Sequence, residues 1–244
     1  MRVILVGQGQ MGKMFYEMAL KDPEIEIAFM MAHFIYNQSM AHVDVLVDFS
    51  HPDNLEGILE YGLKYHIPLV LGTTGYSKEQ LLNIKKAGKE IAILQGANFS
   101  LGIALIKKIL ELVTPILSNF DIEIIESHHA LKKDAPSGTV SLLLDSIRKT
   151  RDINEIYDRI GESLRIKNEI GVHSIRGGSI AGDHRILYLG DDENISIEHS
   201  SSSKRIYIKG AFQAMKFIIK KTEGYYTMED VLFEPEGLWK QKKS

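Results

Sequence analysis

The chain has 244 residues, 44% of them hydrophobic and 25% charged, with a formal net charge of −3. That balance is ordinary for a globular chain, and it gives no general electrostatic reason to bind nucleic acid. Cysteine is absent, so no disulfide framework exists and a reducing, cytoplasmic setting is expected. No secretion signal is expected, because the first apolar run stops at Gly7, and no apolar run approaches the roughly 18 residues of a membrane span.

Residues 3–6 form a short continuous apolar run, suited to a buried parallel strand. Gly7-Gln8-Gly9-Gln10-Met11-Gly12 follows at once, and Met14, Phe15, Met18 and Ala19 then recur at helical spacing. A Gly-x-Gly-x-x-Gly match gains meaning only in such a strand, turn and helix context. Gly7 allows the tight turn, Gly9 lets a pyrophosphate reach the backbone, and Gly12 lets helix and strand pack closely. Residues 25–31 read as the next strand. A fold that prefers NAD places a carboxylate about 20 residues past the glycines, yet Met30-Met31-Ala32-His33 contains none. His33 or Lys13 could meet a 2′-phosphate instead, which tilts the expectation toward NADPH and leaves NADH open.

Residues 43–49 read as a third strand and 55–65 as a helix. Residues 67–71 form a strand closed by Gly72-Thr73-Thr74-Gly75. Ser77 is a plausible N-cap for a helix reaching 89. Residues 91–94 form a strand closed by Gly96-Ala97-Asn98-Phe99-Ser100. Five βα-type units in this stretch predict an α/β, Rossmann-type doubly wound sheet, with a long buried helix over 101–117.

A strand-like run at 122–125 leads into Glu126-Ser127-His128-His129-Ala130-Leu131-Lys132-Lys133-Asp134-Ala135-Pro136-Ser137-Gly138-Thr139, and a helix follows to about 148. Pro136 suits a first helical turn. Ser137, Gly138 and Thr139 would then offer unpaired backbone N–H groups to an anion. The histidines and lysines just upstream add a proton donor near neutral pH and fixed positive charge. No metal site is expected, since there is no cysteine and no second histidine at helical spacing to complete a zinc set.

This stretch resembles the signature of the dihydrodipicolinate reductase family, Glu-x-His-His-x-x-Lys-x-Asp-Ala-Pro-Ser-Gly-Thr, and meets every fixed position. Asp48-Phe49-Ser50-His51-Pro52, Gly96 to Ser100, Ser174-Ile175-Arg176-Gly177-Gly178, Gly182-Asp183-His184 and Gly224 to Leu232 are similar to further family segments. Ser203-Lys204 departs from the family's usual Ser-Arg, and Lys does not replace a planar, bidentate Arg like for like.

The resemblance implies reduction of 4-hydroxy-tetrahydrodipicolinate, a cyclic dicarboxylate, with NADPH or NADH. It implies that His128 is the proton donor or acceptor, and that Lys132 is a second acid–base group or stabilises charge on the ring nitrogen. His129, Ser137, Gly138 and Thr139 would hold the substrate. Gly72, Thr73 and Thr74 would touch the nicotinamide ribose, and Gly96, Ala97, Asn98 and Phe99 would lie beside the nicotinamide. It also implies a homotetramer. Leu131 stands where some relatives carry a polar residue. A different two-domain NAD(P) dehydrogenase and a non-catalytic dinucleotide sensor are the competing readings.

Residues 151–168 are charged and read as a loop or short helix. Residues 172–178 read as strand and turn, and 185–189 and 195–199 as a hairpin. A final helix is expected at about 211–221. The expected domains are therefore a discontinuous dinucleotide-binding unit, 1–100 with 212–244, and an α+β unit with a mixed open sheet, 101–211. Strands without intervening helices suggest an exposed sheet as an oligomer surface.

Overall fold

The computed structural model describes residues 1–35, 40, 42–157 and 159–233. The chain divides into two compact units, Met1–Leu101 with Arg205–Ser244, and Gly102–Lys204. Residues 234–244 of the expected C-terminal segment lie outside the described residues.

The first unit is built on strands β1 (Arg2–Val6), β2 (Glu26–Met31), β3 (Val45–Asp48), β4 (Leu69–Leu71), β5 (Ala92–Gln95) and β11 (Gly224–Tyr226). They form a parallel sheet in the order β11-β5-β4-β3-β1-β2. Helices α1 (Gln10–Ala19), α2 (Leu55–Tyr65), α3 (Lys78–Ala87), α6 (Arg205–Ile218) and α7 (Met228–Phe233) belong to the same unit. A parallel sheet covered on both faces buries every side chain, which is why its strands read as unbroken apolar runs. Val3, Ile4, Leu5 and Val6 are fully buried, as are Val45, Leu46, Val47, Leu69, Val70 and Leu71. Ser77 caps α3 in a reciprocal capping box with Gln80, a device worth about 1 kcal/mol.

Two expectations for this unit need correction. The β2–β3 connection carries no α-helix among the described residues, unlike the connections after β1, β3 and β4. The last long helix starts at Arg205 rather than near residue 211. Gly210 looks like a helix boundary but lies inside α6, where a Cβ would stand 1.6 Å from the Phe99 carbonyl oxygen. Close packing, not chain termination, explains that glycine.

The second unit contains α4 (Leu101–Ile116, its first residue in the first unit), β6 (Asp121–His128), α5 (Gly138–Arg148), β7 (Asn154–Tyr157), β8 (Glu169–Arg176), β9 (Gly182–Leu189) and β10 (Asn194–Ser201). The sheet order is β10-β9-β6-β8-β7. β6 pairs parallel with β8 and antiparallel with β9, so the sheet is mixed. The stretch read as loop or short helix instead supplies β7, a four-residue edge strand paired parallel with β8.

Side chains alternate along β6, and Ile122, Ile124, Glu126 and His128 all fall on the buried side. The two isoleucines pack with Ile106 and Leu110 of α4 and with Val140, Leu143, Leu144 and Ile147 of α5. The same alternation carries a carboxylate and an imidazole inward at the end of the strand. Pro136 lies outside α5: Ser137 is the N-cap, and the helix begins at Gly138.

Candidate active site

In the first unit the predicted dinucleotide residues gather at the carboxyl ends of parallel strands, where open α/β sheets bind ligands. Each loop is pinned to its neighbour as it leaves the sheet. Gly7 N–H donates to the Met31 carbonyl (2.7 Å), Phe49 N–H to Val6 (2.8 Å), Gly72 N–H to Asp48 (2.8 Å) and Gly96 N–H to Leu71 (3.1 Å). Gly7 takes φ +120°, and a Cβ there would lie 2.2 Å from the Phe49 carbonyl oxygen. Gly12 stands equally tight against the Gly7 carbonyl, whereas a Cβ on Gly9 would meet nothing within 4 Å. Gly9 is the N-cap of α1 and gives it no side-chain cap. The start of α1 therefore fits an anionic pyrophosphate, with amides and open space facing it.

Gln8 and Gln10 are exposed beside Gly9, and Met11 is half-buried. His33 is exposed just past β2, with no carboxylate between Met30 and His33. Thr74 and Ala97 are exposed, Gly72, Gly96 and Asn98 are half-buried, and Phe99 is buried. Thr73 is turned inward: it is buried, and its Oγ1 accepts from Ser50 N–H (2.8 Å). Behind it Asp48 is buried and accepts from Ser50 Oγ (2.5 Å) and Tyr76 Oη (3.0 Å). Burial pushes the Asp48 carboxyl up, against these hydrogen bonds. Asn98 Oδ1 accepts from Ser100 N–H (2.8 Å), fixing the turn after β5.

In the second unit one carboxylate organises the signature loop. Glu126 is fully buried. Its Oε1 accepts from Arg176 Nη2 (2.7 Å), Ser174 Oγ (2.8 Å) and the Ser137 N–H (3.2 Å). Its Oε2 accepts from Arg176 Nη1 (2.9 Å) and meets His128 Nδ1 at 2.5 Å. Burial would raise the Glu126 carboxyl, but the bidentate Arg176, Ser174 and His128 outweigh it and hold it below its usual range. Burial pushes the His128 imidazole down, with Glu126 pulling the other way. With Nδ1–H given to Glu126, Nε2 is the exchangeable nitrogen. It faces Gly182, where a Cβ would lie 3.0 Å away.

The remaining predicted residues spread around this centre. Ser137 N–H is spent on Glu126 rather than left unpaired, which corrects that part of the anion seat. Ser137 Oγ accepts from Val140 N–H (3.4 Å) and meets His184 Nε2 at 3.2 Å. Gly138 is exposed and Thr139 half-buried in the first turn of α5. His129 is half-buried just beyond β6, and its carbonyl accepts from Lys132 N–H (3.1 Å). Lys132 Nζ is paired with both oxygens of Asp134 at 2.7 and 2.8 Å. That bond is the main reason the Asp134 carboxyl is held low. Leu131 is 87% exposed. Glu126, Ser174, Arg176 and His184 were not predicted as site residues. Each lies in a segment resembling the family's, and strand register supplies the missing signal. Glu126 sits opposite Ser174 on β8 and His184 on β9, and His128 opposite Arg176. Among the described residues no cluster fit for a metal ion occurs, and no helix is long and apolar enough to cross a membrane.

Comparison with known proteins bears on both units. A family model described as dihydrodipicolinate reductase, N-terminus, matches residues 1–99, and one described as dihydrodipicolinate reductase, C-terminus, matches 102–232. The 4-hydroxy-tetrahydrodipicolinate reductase of Brachyspira hyodysenteriae is 41% identical over 235 residues, covering 95% of this chain and 100% of the relative. The enzyme of that name from Clostridium tetani is 40% identical, covering 95% and 96%. Among solved structures, the dipicolinate-bound dihydrodipicolinate reductase from Paenisporosarcina sp. TG-14 shares the fold with a TM-score of 0.79, at 23% identity over 95% of this chain and 99% of that one.

Proposed function

This chain belongs to the dihydrodipicolinate reductase family, and on that footing we propose that its second unit seats a cyclic dicarboxylate at the start of α5 with His128 as the proton donor. The reaction is the NAD(P)H-dependent reduction of 4-hydroxy-tetrahydrodipicolinate to tetrahydrodipicolinate, a step in lysine and diaminopimelate biosynthesis. Loss of water gives dihydrodipicolinate, and a hydride and a proton then add across one ring double bond. Bound NAD(P)H supplies the hydride.

The protein's part is binding, orientation and proton supply. The first unit is the dinucleotide-binding domain: the amides at the start of α1 hold the pyrophosphate, and the loops after β4 and β5 hold the nicotinamide end. His33 and Lys13 are the groups that would meet a 2′-phosphate. In the second unit one substrate carboxylate takes the Gly138 and Thr139 amides with the Ser137 hydroxyl, where a helix N-terminus favours negative charge. His129 and Lys132 add donors and charge, and Lys132 exchanges its Asp134 partner for the ligand. His128 Nε2 gives the proton, while Glu126 keeps the ring in one tautomer and stabilises its charged form. The second unit is also the oligomerisation domain of a homotetramer, a reading supported by the largely exposed β10 edge strand. The setting is cytoplasmic, which the absence of cysteine suits.

The observation that carries this reading is the buried Glu126 carboxylate, which joins the proton donor to the residue that caps the anion-binding helix. The test is a coupled assay supplying the aldol product of pyruvate and aspartate semialdehyde with NADPH and then NADH. Oxidation of the cofactor dependent on that product is expected. Cofactor binding without turnover would favour a dinucleotide sensor instead.

A further inference from the structure

The proposed mechanism leaves one buried histidine without a task. His184, on β9, is 2% exposed. Its Nε2 meets Ser137 Oγ at 3.2 Å, while its Nδ1 is buried with no hydrogen-bond partner among the described residues. Its ring stands edge-on to His128, with centroids 5.3 Å apart. Resting on the reading of α5 as the carboxylate seat, we propose that His184 is a positioning residue for the substrate: its Nε2–H fills a lone pair of Ser137 Oγ and commits the hydroxyl's own proton to the bound carboxylate.

A neutral imidazole carries one N–H and one bare nitrogen. If the proton sat on Nδ1, a buried N–H would go unpaired, which folded proteins rarely tolerate. A bare nitrogen without a donor is the cheaper omission. The proton therefore sits on Nε2 and points at Ser137 Oγ. That oxygen also takes the longer arm of a bifurcated Val140 N–H bond, at 3.4 Å, the shorter arm going to the Ser137 carbonyl at 2.9 Å. Both of its lone pairs are then occupied, so the hydroxyl acts only as a donor. An oxygen locked as a donor suits an anion and rejects a neighbour that itself needs an acceptor. Burial holds the imidazole neutral, its pKa depressed to about 4, so the arrangement persists at neutral pH. The register that sets His184 opposite Glu126 places it under the α5 N-cap.

Dipicolinate binding, NAD(P)H binding and steady-state kinetics of His184→Leu, His184→Gln, His184→Asn and Ser137→Ala test this. A glutamine amide can reach the place of Nε2, whereas an asparagine amide reaches only that of Nδ1. Loss of a hydroxyl hydrogen bond to an anion predicts roughly 5–30-fold weaker dipicolinate binding for His184→Leu, His184→Asn and Ser137→Ala. The loss should appear in KM more than in kcat, with NAD(P)H affinity retained. His184→Gln should restore most of the affinity, and His184→Leu should add nothing to Ser137→Ala. If His184→Leu does not fold, the asparagine and glutamine pair gives the same contrast. Equal losses in His184→Gln and His184→Asn, or an undiminished His184→Leu effect on top of Ser137→Ala, would overturn the proposal. Unchanged dipicolinate binding in Ser137→Ala would instead remove the carboxylate seat itself, and the inference with it.

Discussion

His128 Nδ1 stands 2.5 Å from Glu126 Oε2, and that carboxylate is fully buried and clamped by Arg176. Such a contact fixes both the tilt of the ring and the nitrogen that carries its fixed proton. Glu126→Gln keeps the shape and removes the charge. The imidazolium then loses its stabilising anion, so its pKa falls further and the alkaline limb of the kcat profile moves to lower pH. Turnover should drop roughly 10²-fold from misorientation. Arg176 keeps its bonds to the Ile175 and Asp134 carbonyls but loses its counter-charge, which should cost on the order of 3 kcal/mol in stability. An alkaline limb at the same pH in both proteins would contradict the coupling.

Gly182 leaves the space in front of His128 Nε2. Gly182→Ala would put a methyl 3.0 Å from that nitrogen. Gly182 takes φ +156°, a conformation alanine rarely adopts, so the variant should also lose some stability as the methyl displaces the His128 ring. A fall of roughly 10–10²-fold in kcat/KM is expected, with NAD(P)H affinity unchanged. Steady-state kinetics beside a fluorescence titration of the cofactor measure both.

Two glycines of one motif should fail in opposite ways. Gly7→Ala meets the Phe49 carbonyl at a φ of +120°, so stability should fall by about 1–3 kcal/mol. Gly9→Ala meets nothing within 4 Å, so its thermal midpoint should hardly move. On the proposed placing of the pyrophosphate at the start of α1, its NAD(P)H affinity should weaken roughly tenfold, because the added methyl would take up that space. Melting curves and cofactor titrations of the pair separate a folding glycine from a binding one.

Acid should unfold the second unit partly through its histidines. Burial lowers the His184 pKa from 6.5 to about 4. As pH falls below 6.5 the unfolded chain takes up a proton that the folded chain refuses, until about pH 4. Stability is therefore full above that window and is lost across it, at up to about 1.4 kcal/mol per pH unit. His128 and His199, lowered chiefly by burial, act in the same direction. Urea unfolding at pH 7, 6 and 5 should show a shallower slope for His184→Gln than for the parent. Equal slopes would exclude His184 as a source.

Much of this was legible in the chain because local rules and tertiary demands agreed. Val3 to Val6 is apolar throughout since both faces of its sheet are covered, and Ser77 with Gln80 announces its helix. His128 ends β6, Gly138 begins α5 and Lys132 lies in the loop between them, so a linear motif could hold all three. The partners of Glu126 could not be read that way. Ser174, Arg176 and His184 come from neighbouring strands, and only the register of β6 with β8 and β9 brings them together. β7 escaped notice because Asn154-Glu155-Ile156-Tyr157 is short, polar and at a sheet edge, where pairing rather than pattern decides the structure.

The central claim is that the His128 imidazole supplies the proton while the rest of the site only binds and orients. Turnover of His128→Gln at saturating NAD(P)H and substrate tests it most directly. A kcat reduced by roughly 10²–10⁴-fold with the cofactor dissociation constant unchanged is expected. A variant that turns over at the parent rate would contradict it.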